Sequence, residues 1–190
     1  MSRWEPNARE RLVRAALDLF SEQGYDSTTV AEIAERAGLT KTTFFRHFPD
    51  KREVLFAGQD VHSRLLAEGI AAAPATATPL GAVTAALDAA TVTFTPEQRE
   101  FGPRLSAVIA DNRELQERQV FKHAGLASAM AEALCRRGVP APTAALAADL
   151  GVRAFSRAFA CWSDPANRQT FTELARQELE ELRAAAAALG

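Results

Sequence analysis

The fold is decided by residues 28–48, Thr28-Thr29-Val30-Ala31-Glu32-Ile33-Ala34-Glu35-Arg36-Ala37-Gly38-Leu39-Thr40-Lys41-Thr42-Thr43-Phe44-Phe45-Arg46-His47-Phe48. Thr29 followed by Glu32 is a capping box, so a helix opens there. Val30, Ile33, Ala34 and Ala37 fall on one face of it, and Gly38 stops it. Thr40 is the natural cap of a short second helix. Phe44 and Phe48, four apart, would anchor that helix from behind, and Pro49 breaks the chain. The pattern is a helix-turn-helix. A helix laid in the major groove needs small polar residues at its start, which Thr40, Lys41, Thr42 and Thr43 supply.

Working outward, Leu12, Ala16, Leu19 and Phe20 stripe a preceding helix, expected from Asn7 to Gln23 with Gly24 as its stop. Asp50 to Glu53 is a second capping box, opening a helix expected to run to about Ala72. Further helices are expected at about 80–93, 97–110, 112–137, 143–163 and 167–188, separated by proline and glycine breaks. The fold class expected is all-α, with a helix-turn-helix domain over 1–52 and a helical domain over 53–190.

The chain has 190 residues and a net charge of −2. Charge is unevenly placed: residues 1–52 hold nine Lys and Arg against eight Asp and Glu, whereas the rest hold 13 against 16. Arg36, Lys41, Arg46, Lys51 and Arg52 face only Asp50 within 36–52, a +4 window. A local basic patch of this kind suits nucleic acid better than the net charge suggests.

Cys135 and Cys161 lack metal-ligand spacing, so no metal is expected. The polar opening Met1–Asn7 lacks the apolar segment of a secretory leader, and no apolar run reaches membrane-spanning length. A cytoplasmic protein with reduced thiols and no membrane association is expected. His47, His62 and His123 form no HExxH or nucleophile motif, and no glycine-rich phosphate loop occurs, so neither an enzyme nor a cofactor is expected.

Thr28-Thr29-Val30, Ile33-Ala34, Ala37-Gly38-Leu39, Lys41, Phe44, His47-Phe48 and Lys51 occur together. They follow Ala16-Leu17, Leu19-Phe20, Glu22 and Gly24-Tyr25. Over about Arg9 to Leu55 this resembles the N-terminal domain of the TetR family of bacterial regulators. The resemblance implies a dimeric, ligand-responsive repressor of a palindromic double-stranded DNA operator. A transcriptional activator, or a ligand-binding module that no longer binds DNA, are the alternatives.

It further implies that Lys41, Thr42 and Thr43 face base edges. Thr29, His47 and Lys51 would touch phosphates, and Arg46 offers a charge to phosphate or guanine. Thr28 joins Thr29 as a candidate contact, with capping as its alternative. The position of Phe45 is most often tyrosine in the family, so the phenyl ring here loses a hydroxyl-to-phosphate bond.

Beyond residue 55 the resemblance extends to architecture alone. Phe94, Phe101, Leu105, Ile109, Phe121, Met130 and Phe155 lie on the middle helices, where family members bind effectors, and are the pocket candidates. A small hydrophobic effector is implied. The stretch from Phe101 to Arg118 is also similar to members that sense acyl-CoA thioesters. Phe159 and Trp162 on one terminal helix, with Phe171, Leu174, Leu179 and Leu182 on the other, would form half of a four-helix homodimer interface, or else fill the internal core.

Overall fold

The structure is a computed structural model and describes residues 8–189. Among them are nine α-helices, one 3-10 turn and no strand. The all-α expectation holds. Helix α1 spans Ala8–Gln23; its expected start at Asn7 lies outside the described residues. Helix α2 is Val30–Arg36 and α3 is Lys41–His47. After a 3-10 turn at Glu53–Phe56 come α4 (Gln59–Ala72), α5 (Pro79–Thr91) and α6 (Pro96–Ala110). Helices α7 (Arg113–Arg136), α8 (Ala141–Ser163) and α9 (Phe171–Ala187) complete the chain.

Threonine opens five of these helices. Thr29, Thr40, Thr78, Thr95 and Thr170 each accept a hydrogen bond from a backbone amide of the first turn. Such caps satisfy one of the amides a helix start leaves bare, at about 1 kcal/mol each.

The helix expected to begin at Asp50 is split. Asp50 does cap, accepting from the amides of Arg52 (2.9 Å) and Glu53 (3.2 Å). But Val54, Leu55 and Phe56 are all buried. Three consecutive residues cannot share one α-helical face, so the chain tightens into a single 3-10 turn before α4 begins.

The chain forms two compact units. The first runs through Ala57 and takes in Arg104–Gln119; the second is Gly58–Pro103 with the chain from Val120 onward. The changeover after Ala57 lies beyond the boundary at Arg52 read from the sequence, because the 3-10 turn packs on α1.

In the first unit α1 packs on α2, and α2 on α3. Leu12, Ala16, Leu19, Phe20, Ile33, Ala34, Phe44 and Phe48 are buried there. Phe44 is fully enclosed, so truncating it to alanine costs about 3–5 kcal/mol. The turn between α2 and α3 requires glycine: Gly38 has φ +66°, and an added Cβ would lie 2.7 Å from the Arg11 guanidinium.

In the second unit α4 packs on α5, α8 on α9, and α5 on both α8 and α9. Many of its core positions are alanine, including Ala82, Ala86, Ala90, Ala144, Ala148, Ala154 and Ala158. Small residues allow helix axes to approach closely. At Gly69 the limit is reached, since a Cβ there would sit 2.6 Å from the Ala86 Cα.

Candidate nucleic-acid interface

The helix-turn-helix is held by bonds that remove several of its polar groups from external use. Thr28 is 1% exposed. Its hydroxyl donates to the Gly24 carbonyl (2.8 Å) and accepts from Gln23 Nε2 (3.3 Å). It fastens α1 to α2, which corrects its reading as a DNA contact. Thr29 makes the expected capping box: its hydroxyl accepts from the Glu32 amide (3.2 Å), and Glu32 accepts from the Thr29 amide (2.7 Å). These bonds, the Thr29 hydroxyl first, hold the Glu32 carboxyl below its usual range. Thr29 stays exposed. The Thr40 hydroxyl accepts from the Thr43 amide (3.1 Å) and pairs with the Thr43 hydroxyl (3.0 Å).

The basic window is similarly reduced. Arg36 forms a two-pronged pair with Glu22 on α1, at 3.0 and 2.8 Å. Arg52 is shared between Asp50 (2.7 Å) and Glu114 (3.0 Å). The Lys51 amine donates to the carbonyls of Tyr25 (2.7 Å) and Thr28 (3.1 Å) and lies 4.1 Å from the centre of the Tyr25 ring. The Tyr25 phenol is itself pushed up, chiefly by burial. Lys51 therefore braces the turn after α1 through the amine that the sequence reading assigned to a phosphate.

Lys41 and Arg46 remain, both exposed and in no ion pair among the described residues. They share one face of α3 with Thr42 and Phe45 at helical spacing. Phe45 is 49% exposed and meets Phe44 edge-on at 5.5 Å. His47 and Thr43 are half-buried at the margin of that face. Phe44 and Phe48 lie behind, ring to ring at 5.7 Å. The outward surface is thus two cations, a hydroxyl and an aromatic ring on a rigidly backed helix. Chemically this can approach a polyanion and reach hydrogen-bonding edges.

Residues 104–119 add ion pairs to this unit that the sequence reading did not find. Arg104 binds Asp18 on α1 (2.7 Å), and Arg118 binds Glu53 of the 3-10 turn (2.6 Å). Charges so far apart in the chain carry no periodic signal.

The seven pocket candidates are divided between the two units. Leu105 and Ile109 belong to the first unit. Phe121 is 66% exposed on α7, and Phe101 is half-buried on α6. Met130 and Phe155 are buried in the core of the second unit, with Phe94 packed against that core.

The interface candidates lie in or against the core of the second unit. Trp162, Phe171, Leu174 and Leu179 are buried inside the second unit, and Phe159 and Leu182 pack against its core. They seal α8 and α9 against the other helices of their own chain. Phe94, Phe155, Phe159, Trp162 and Phe171 instead form one cluster of rings, with centroids 4.9–6.1 Å apart. His62 joins it, stacked on Phe94 at 4.7 Å. Sequence reasoning missed His62, although a polar residue on the apolar stripe of α4 was a usable sign. No group of three or more potential metal ligands occurs among the described residues, and none of their helices is long and apolar enough to cross a membrane.

A capped helix-turn-helix beside a separate helical unit defines a class of helix-turn-helix protein. Residues 12–57 match the family described as bacterial regulatory proteins, tetR family. The regulator YdgC of Bacillus subtilis, of uncharacterised function, is 30% identical over 138 residues, covering 63% of this chain and 70% of that protein. The chain belongs to the TetR family. The transcriptional regulator TcmR of Streptomyces glaucescens is 40% identical over 81 residues, 43% of this chain and 36% of that protein. Across the first three curated relatives the chain covers only 17–36% of their length. Among solved structures, FadR of Thermus thermophilus, a transcriptional repressor in complex with lauroyl-CoA, has a TM-score of 0.52. It is 22% identical, with 92% of each chain covered, a likeness of fold.

Proposed function

We propose that this chain is a transcriptional repressor that binds a palindromic DNA operator as a homodimer in the cytoplasm and is released by a small hydrophobic effector. The observation that carries the reading is the outward face of α3, where Lys41 and Arg46 are the cations left uncommitted in a basic window whose other members are bonded internally. Lys41, Thr42 and Thr43 meet base edges in this reading, and Arg46, His47 and Thr29 meet phosphates. Thr40 holds the start of α3, and Phe45 lies against sugar or a thymine methyl.

Residues up to Arg52 carry the DNA-reading function, and residues 53–190 bind the effector and dimerise. The dimer surface is the outer side of α8 and α9. Leu146 is 59% exposed there, in line with Leu150, Arg153 and Arg157. Two recognition helices must then match successive major grooves, about 34 Å apart. The effector favours a conformation in which they do not. An acyl-CoA effector has only a likeness of fold behind it.

An electrophoretic shift with the chain's own upstream DNA tests the proposal. Two chains should bind one palindrome, with a preference over random duplex that persists as salt is raised. Equal binding to both duplexes would refute it.

A further inference from the structure

The buried stripe of α4 runs through Gln59, His62, Leu66, Gly69 and Ile70. Its last three members are buried and apolar, as a core stripe should be. Its first two are not. The Gln59 Oε1 is buried and has no hydrogen-bond partner. His62, one turn on, stacks on Phe94 at 4.7 Å and 18°, and lies 5.9 Å from Phe155. Neither of its ring nitrogens hydrogen-bonds a described residue. Burial alone pushes the imidazole down to about 4, so it is neutral near pH 7 and offers both a donor and an acceptor. Buried polar groups without partners are rare in folded proteins and mark a place where a partner is missing.

The rings around these two groups divide into a floor and a rim. Phe155, Trp162 and Phe171 are buried; His62, Phe94 and Phe159 keep accessible surface. The position of Phe94 is fixed from several sides. Thr91, three residues before it, bonds the Leu87 carbonyl (2.8 Å) and the Thr172 hydroxyl (2.8 Å). Arg99 donates to the carbonyls of Trp162 (2.8 Å), Asp164 (3.2 Å) and Asn167 (2.7 Å), which ties down the end of α8. Its charge is thereby engaged with main chain and is not offered to a ligand.

We propose that Gln59, His62, Phe94 and Phe159 form the effector site's recognition edge, and that this site takes a neutral aromatic molecule bearing a hydrogen-bond donor, such as a phenolic hydroxyl. The proposal rests on the effector-responsive reading above and names the ligand class for it. Ring faces and edges reward a planar ring with defined geometry, which a flexible acyl chain does not exploit. Gln59 Oε1 accepts only, so the ligand must donate. Arg99, which bonds the Trp162 carbonyl beside the rings, is committed to main chain and is not offered to the phosphates of a coenzyme A ester.

The test is calorimetric titration of the full chain, without DNA, with β-naphthol, its methyl ether, its saturated decahydro analogue and lauroyl-CoA. β-Naphthol should bind, and both the ether and the saturated analogue should bind about tenfold more weakly. Gln59→Met and His62→Phe should each weaken β-naphthol about tenfold while leaving the ether unchanged. Gln59→Met should melt at or above the wild-type temperature, because it removes a buried oxygen that has no partner. Absence of β-naphthol binding, equal affinity for ether and phenol, or tighter binding of lauroyl-CoA would overturn the proposal. A lower melting temperature for Gln59→Met would also overturn it, since it would show that the Gln59 amide has a partner inside the fold. Operator affinity is read in a separate assay, so failure of the DNA-binding reading would leave these titrations interpretable.

Discussion

Lys51 points its amine into the protein: it donates to the Tyr25 carbonyl at 2.7 Å and stands 4.1 Å from the centre of the Tyr25 ring. One lysine thereby joins the segment after α3 to the turn after α1. Replacing it with methionine keeps the stem and removes the charge-assisted bonds to Tyr25 and Thr28. The expected loss of stability is about 2 kcal/mol. Thermal melts should show it with or without DNA. An unchanged melting temperature would place the amine in solvent.

The uneven commitment of the arginines can be read in salt dependence. Arg46→Ala should remove one phosphate contact per subunit and lower the log–log salt slope of operator binding by about 1.8 per dimer. Arg36→Ala breaks the Glu22 pair at 2.8 Å and should leave that slope unchanged. Anisotropy titrations over a range of salt concentrations decide the matter. Equal slope changes for the two variants would mean that Arg36 leaves Glu22 when DNA is present.

Phe45 is exposed beside the free cations. Phe45→Tyr adds a hydroxyl within the proposed reach of a phosphate and should tighten binding about threefold at all sequences. A change in sequence preference instead would show that the ring reads bases.

Burial depresses the imidazoles of His62, to about 4, and of His123. For a histidine of depressed pKa the unfolded state takes up the proton first. The stabilising contribution is therefore complete above the unfolded value, near 6.5, and is lost as pH falls from there toward 4. His62 alone should account for about 2 kcal/mol of lost stability between pH 6.5 and 5. His62→Phe should flatten most of the melting-temperature slope in that window and leave the share belonging to His123. An unchanged slope would exclude His62 as its source.

The helices were legible wherever a local rule set them: threonine caps at 29 and 40, glycine at 38, and Phe44 and Phe48 at one turn's spacing. The split at Glu53–Phe56 was not, because burial of three successive residues is decided by what packs around them. On α3, the outward positions of Lys41, Thr42, Phe45 and Arg46 are legible from residue type and spacing. The inward bonds of Thr28 and of the Lys51 amine are not legible, because the partner, here Gly24 or Tyr25, lies elsewhere in the chain. The interface candidates met a related limit. An apolar stripe shows that a face is buried without showing whether its own chain or a second copy covers it, and Phe171 and Leu174 are covered from within.

Selection of preferred sites from a randomised DNA pool, by the wild type and by Lys41→Ala/Thr42→Ala, tests the role of α3 most directly. The account predicts two inverted half-sites about 34 Å apart, with specificity relaxed symmetrically in both when Lys41 and Thr42 are removed. Recovery of the same sequences by both proteins, or of none by the wild type, would contradict it.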